Sequence, residues 1–325
     1  MNSLITIWGN RRINLAALVL WGLAATFVVY TFVSGGYLIA VLHFALIYTV
    51  FVTGLNIFMG FTGQVSFGHN AFAAIGGYTS AVLTATYNWD PLPAGLLGLA
   101  GALTCALIIG YPVLRLRGHY LAMATLAIGL IVYEVAVQWD SVTKGYMGIS
   151  GIAPLGIGRF TVVSDRALLV FLVIVAGLAL LSAAGIRRSR LGRAFVAIAG
   201  SEDAARALGI DVARYKLIAF LISAGYAAIA GTLFVHAVGF VSPEVFGLPM
   251  VVLSFTMLYV GGIGTIAGAA LGAIVISALP ESFRTFKDYQ DLAYGAALIA
   301  ILIYAPRGMA SLPALWTKWR RRTTA

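Results

Sequence analysis

The polar residues best able to do chemistry crowd into three stretches. In "GFTGQVSFGHN", Gly60 to Asn70, Thr62, Gln64, Ser66, His69 and Asn70 supply hydrogen-bonding groups between glycines that permit irregular backbone. In "IVYEVAVQWD", Ile131 to Asp140, the carboxylate of Glu134 stands in an apolar run. In "SRLGRAFVAIAGSEDAARALGID", Ser189 to Asp211, Glu202 and Asp203 follow a serine able to cap a helix. These are not catalytic constellations, because carboxylates and histidines never cluster. His43, His69, His119 and His236 are scattered, with no H-E-x-x-H and no cysteine partners, so no metal site is expected. No G-x-x-x-x-G-K-[ST] occurs, so the chain lacks an ATPase-type phosphate loop, and no cofactor is expected in it.

The elements that position these residues belong to a membrane protein. Of 325 residues 61% are hydrophobic and only 10% charged, where soluble domains run to about a quarter charged. A span needs about 20 mostly apolar residues. Candidates fall near 13–33, 37–59, 70–87, 93–114, 119–138, 166–186, 215–238, 247–260, 264–280 and 290–305. The expectation is an all-α integral membrane protein of about ten transmembrane helices, some short or broken, forming a single domain over 1–325. The formal charge of +10 comes from short Lys/Arg patches between apolar runs, a topology signal rather than a nucleic-acid face. With the N-terminus inside, Arg11/Arg12, Arg115/Arg117, the 187–214 loop and "KWRRR" are cytoplasmic. "NWD", the 140–165 loop and "ESFRTFKDYQD" are then external, and both termini are cytoplasmic. Arg11 and Arg12 before 13–33 resemble a signal peptide, but the run is long enough to span and no A-x-A site follows, so a retained helix is expected. Cys105, the single cysteine, can make no internal disulfide.

Two stretches, Gly60 to Asn70 and Gly261 to Gly272, read as helices interrupted within the membrane. Irregular backbone at such depth needs protein or a watery cavity to satisfy it. The first stretch is therefore either the lining of a permeation path or interhelical glue, and the helix start after it can favour a carboxylate. Transporters built on repeats often put broken helices in the substrate path. Gly262 to Ala267 matches G-x-G-x-x-A but lacks the βαβ context of a dinucleotide site. Gly264, Gly268 and Gly272 at four-residue spacing read as close helix packing instead. Glu134 is either a path or proton-relay group or a side chain reaching the interface. Ser201 as N-cap, Glu202 and Asp203 in the first turn and Gly209 as a left-handed stop predict a helix of about two turns. Ala204, Ala205 and Leu208 would form its apolar face. Too short to stand alone, it either lies on its own membrane domain or plugs into a separate cytoplasmic protein.

Six motifs occur in order: "TGQVSFGHNAFAAIGGY" (62–78), "LRLRGHYLAMATLA" (114–127), "SRLGRAFVAIAGSEDAARALGID" (189–211), "KLIAFLISAGYAAIAGTL" (216–233), "GGIGTIAGAALGA" (261–273) and "PRGM" (306–309). Together they resemble the LivM-type permeases of branched-chain amino-acid ABC importers, and the 187–214 loop resembles their EAA-type coupling segment. The resemblance implies an ABC importer permease fold in the bacterial inner membrane, surrounded by lipid. It also implies a LivH-like second permease, an extracytoplasmic binding protein, and two cytoplasmic ATPase subunits that hold ATP and Mg. The family's coupling role carries onto Gly192, Arg193, Ser201, Glu202, Asp203, Ala204, Ala205, Leu208 and Gly209.

Departures bear on the cargo. Leu130 and Tyr133 stand where the family commonly has Glu and then Arg, with Glu134 next door. "VVLSFTMLYV" carries no charge, and Lys144, Tyr146 and Met147 occupy an outer loop that is more often small or polar. Urea, short amides or small carboxylates are alternative cargoes. The rival from another class is an ion-coupled secondary transporter with Glu134 and His69 as coupling groups, which leaves the capped helix unexplained.

Overall fold

The computed structural model describes residues 36–282 except 158, 159 and 163, together with 292, 295, 296, 299, 303 and 308–311. The span expected at 13–33 lies outside the described residues, as does most of that at 290–305. The other eight candidates are all helices. They are α1 (Gly36–Asn56, continued by a π-helical turn Ile57–Phe61), α2 (His69–Tyr87), α3 (Pro91–Val113) and α4 (His119–Gln138). After a longer loop come α5 (Asp165–Arg188), two short helices α6 (Arg190–Gly200) and α7 (Glu202–Ala207), then α8 (Val212–Val238), α9 (Leu248–Gly261) and α10 (Ile266–Ser282). Local punctuation sets the ends. Ser164 accepts from Ala167 N–H at 3.2 Å to start α5, and Asp211 accepts from Arg214 N–H at 3.1 Å to start α8.

Among the described residues, six segments are long and apolar enough to cross a membrane: Leu38–Phe61, Pro91–Val113, His119–Gln138, Asp165–Arg188, Val212–Val238 and Pro243–Gly261. The described residues therefore do not confirm the expected count of about ten. α2 and α10 fall short for different reasons. α10 is short, whereas most of α2 is buried by its neighbours, so it can carry Asn70, Ser80 and Thr84 inside without facing lipid.

The core is built around α8, which packs on α1, α2 and α3. Lipid tails are as apolar as leucine, so helices in a bilayer associate through close backbone approach and interhelical hydrogen bonds. Ala227, Ala228 and Ala230 of α8 are buried, and any Cβ on Gly76 of α2 or Gly231 of α8 would run into the facing backbone at Ala228 or Ala73. The glycine spacing at 268 and 272 serves the same purpose, setting α10 against the backbone of α9 at Gly261 and Met257. The second stretch is thus not a long interruption but a turn at 262–265 between α9 and α10. The loops before α5 and before α9 add two small ladders that the all-α expectation did not include: Ile149–Ser150 with Phe240–Val241, and Gly156–Ile157 with Phe160–Thr161. His236 ties this loop down, sharing a hydrogen bond with Ser80 Oγ (2.7 Å) through Nε2 and donating from Nδ1 to Ala153 O (2.7 Å).

Candidate functional site

The interruption after α1 is real and leads back into the bundle. Beyond the π turn, Thr62 Oγ1 donates to Phe58 O and Gly63 N–H donates to Met59 O at 3.1 Å, and no helical bonding resumes until His69. Phe67 N–H donates to Thr125 Oγ1 of α4 at 3.1 Å, and the Phe67 ring stacks on Phe255 of α9 at 4.4 Å. Ser66, Phe67, His69 and Asn70 then line a crevice with Phe51 and Leu55 of α1 and Val251, Ser254 and Phe255 of α9. At the helical rise, Phe51 lies roughly 15 Å before Phe61 and Ser254 roughly 10 Å before Gly261, so α2 begins deep between its neighbours.

Two irregular segments meet at that helix start. Asn70 Nδ2 donates to Phe246 O at 2.7 Å, and Phe246 ends the 3-10 turn Pro243–Phe246 that comes in from the other side before α9. Asn70 Oδ1 faces Gly129 of α4, where a Cβ would come within 2.7 Å, and has no hydrogen-bond partner. His69 shares a 2.9 Å hydrogen bond with Ser66 Oγ through Nδ1, while its Nε2 is unpartnered amid the rings of Phe58, Phe72 and Phe220. Tyr78 OH, further along α2, is a third buried polar atom without a partner. Buried polar atoms are normally paired, so α2, behind the crevice, holds spare hydrogen-bonding capacity. No charged side chain lines the crevice among the described residues.

The arginine-rich segment carries more structure than its polar composition suggests. Ser189 accepts from Gly192 N–H at 3.4 Å and starts α6, whose Ala194, Phe195 and Ile198 are buried on one face. Ser189 and the spacing of Leu191, Phe195 and Ile198 were a readable helix signal. Gly192 lies against the last carbonyls of α5, and exposed Arg193 donates to Arg188 O at 3.3 Å. Ser201 then accepts from Ala204 N–H at 3.2 Å as the expected N-cap. Gly209, at φ +81°, closes the other end: its N–H reaches Arg206 O and Ile210 N–H reaches Ala205 O, both at 3.0 Å. That pair of bonds is a Schellman stop.

α7 is only six residues long, and its expected apolar face divides in two. Ala205 is buried against Ile198 and Val212, whereas Ala204 is exposed and Leu208 is 80% exposed. The reason is angular: Ala204 and Leu208 are four residues apart and share a face, and Ala205 is turned about 100° away from it. Asp203 and Arg206, paired at 3.0 Å, are exposed beside Leu208.

The two regions touch through one carboxylate. Glu202 Oε1 accepts from Lys216 Nζ (2.8 Å) and Gln64 Nε2 (3.0 Å), and its Oε2 lies 3.5 Å from Arg117 Nε. Burial alone would push the Glu202 carboxyl up, but Lys216, Gln64 and Arg117 outweigh it and hold it below the ordinary glutamate range. Gln64 therefore turns toward α7, while Ser66, His69 and Asn70 line the crevice and Thr62 bonds back to its own helix. Glu134 belongs to neither region. It is exposed on α4, accepting from Gln138 at 2.5 Å beside Ile131, Val135 and Trp139.

Asn56 and Lys216 escaped the sequence reading. Buried Asn56 accepts from Gly264 N–H (2.8 Å) and donates to Thr265 O (2.9 Å), clamping the end of α1 to the second glycine-rich stretch. Arg187 joins them, donating to Gly264 O at 3.0 Å with its guanidinium 4.6 Å above the Phe61 ring. An amide inside "VFVTGLNIFMG" was the available signal.

A family model described as "Branched-chain amino acid transport system / permease component" matches residues 37–305. The chain is 35% identical over 291 residues to the high-affinity branched-chain amino acid transport system permease protein LivM of Escherichia coli K12, covering 81% of this chain and 68% of that protein. To LivH of the same organism it is 28% identical over 287 residues, covering 82% and 92%. To the autoinducer 2 import system permease protein LsrC of Enterobacter sp. (strain 638) it is 29% identical over 245 residues, covering 69% and 66%. No solved structure matches. Because the matched region contains the crevice, the interrupted helix and the whole arginine-rich segment, the chain belongs to the family of branched-chain amino acid transport system permease components.

Proposed function

We propose that the chain is the membrane-spanning permease subunit of an ATP-driven importer for branched-chain or related amino acids. It would work as a single transmembrane domain in the bacterial inner membrane, with both termini cytoplasmic and a LivH-like permease beside it. Two cytoplasmic ATPase subunits would hold ATP and Mg, and a binding protein would deliver cargo from outside. The observation that carries this reading is α7, a helix capped at both ends whose exposed Leu208, Ala204, Asp203 and Arg206 face away from the chain's own core. Such a surface suits a protein partner, and the rest of the 187–214 segment, including Gly192, Arg193 and Gly209, supports it as a coupling unit.

The crevice supplies plausible chemistry for passage. A zwitterionic amino acid brings an ammonium, which the Ser66 and Ser254 hydroxyls that line the crevice can accept from, and a carboxylate, which the start of α2 favours. Phe51, Leu55, Val251 and Phe255 offer apolar contact to a branched side chain. No covalent step is required. Because the crevice lining is uncharged, a short amide such as urea is the one cargo alternative that its chemistry favours. A secondary transporter relying on Glu134 and His69 is less well supported, since the first is exposed on α4 and the second buried at the crevice. A carboxylate on a lipid-facing surface is costly, so the Glu134 face is read as turned toward the second permease.

The test is affinity purification of the tagged chain from native membranes. Two ABC ATPases and a second permease should co-purify, and Leu208→Glu should lose the ATPases while keeping the permease. ATPases retained by Leu208→Glu at the parent's stoichiometry would show that α7 is not the docking surface.

A further inference from the structure

Resting on the coupling role proposed above, the geometry points to the Glu202 carboxylate as the joint through which movement of α7 reaches the crevice, with Gln64 as its transmitting arm. Glu202 is the first residue of α7, so its backbone moves with that helix. Its Oε1 binds both Lys216 Nζ and Gln64 Nε2, at 2.8 and 3.0 Å. Lys216 sits in the second turn of α8 and is 2% exposed, so its ammonium has no route to water and stays on the carboxylate. Charge-assisted bonds of this kind are shorter and stronger than neutral ones.

The arm is held on both sides. Gln64 Nε2 also donates to Thr62 O at 3.3 Å, and a Cβ on Gly63 would come within 3.2 Å of Ala199 Cα in α6. Two residues beyond Gln64, Ser66 shares its hydrogen bond with His69 at the crevice. A chain this short, at no more than about 3.6 Å per residue, has little slack. A shift of Glu202 that drags Gln64 must move Ser66 or break a bond. Gln64 is thus a positioning residue, not a path-lining one.

Val65, 37% exposed between Gln64 and Ser66, is the reporter. The experiment uses the full transporter in membrane vesicles, with Val65→Cys in this chain and Cys105, its single cysteine, replaced by Ala. The reaction rate with a charged maleimide is measured without nucleotide and with ATP plus vanadate. The parent reporter should differ by about fivefold or more between the two states. Gln64→Leu should shrink that ratio to under about twofold, and Gln64→Lys, which restores a donor to Glu202, should recover it. A purely structural role would not distinguish Leu from Lys in this readout. An unchanged ratio in Gln64→Leu overturns the joint, as does a parent with bound ATPases and no ratio. A parent that carries no ATPases at all sinks the proposed function instead, and the joint with it.

Discussion

The Glu202 joint and the His69–Asn70 crevice are built from the two ends of one irregular segment, yet they treat burial in opposite ways. At the joint every charge has a partner: one carboxylate faces Lys216, Arg117 and Gln64. At the crevice no charge is present, and His69 Nε2 and Asn70 Oδ1 are buried without partners. A satisfied charge network resists deformation, because breaking it strands a charge. Unpaired neutral groups cost less to keep and can exchange partners. The contrast teaches that one seven-residue stretch can be stiff where force enters and adaptable where a solute passes.

The largest effect should come from breaking the joint on one side only. Glu202→Ala strands the buried Lys216 ammonium and should lower stability by about 3–5 kcal/mol, read from thermal unfolding in detergent. Adding Lys216→Met should recover most of that loss. A double variant no more stable than the single one would mean that the pair is not what Glu202 contributes. Next, Asn70→Leu removes the donor to Phe246 O and should cost about 1–3 kcal/mol, since the carbonyl is left unpaired.

His69→Met sharpens the comparison in the other direction. Loss of the imidazole leaves the buried Ser66 hydroxyl without its partner and should cost about 1–3 kcal/mol, while uptake falls about tenfold, the worth of one polar contact on the path. A large stability loss with normal uptake would make the crevice structural glue. The smallest effect concerns pH. The Glu202 pKa is depressed in the folded chain, so its contribution is present above the ordinary glutamate range and lost as pH falls through the lowered value. The stability difference between parent and Glu202→Gln should therefore stay constant from neutral pH into mild acid and shrink only below the ordinary glutamate range.

Much of this was legible in the sequence, and the exceptions share a cause. Glycines at 60, 63 and 68 marked the interruption, and Ser201 with Gly209 marked both ends of α7, because these signals act within a turn or two of chain. Which way a side chain turns was not legible. Gln64 stands in the same polar run as Ser66 and His69, and only the position of α7 shows that it faces Glu202. Lys216 stands at the edge of an apolar run, and its burial comes from packing by segments distant in sequence. The face of α7 divides for a smaller reason: Ala204 and Leu208 share one side of the helix, and Ala205 is turned away from it.

The most direct test of the account is uptake of radiolabelled leucine into proteoliposomes holding the assembled transporter, with the binding protein outside and ATP inside. The expected result is accumulation that requires hydrolysable ATP and continues when ionophores collapse every ion gradient. Accumulation that persists without ATP and stops with the gradient would contradict it.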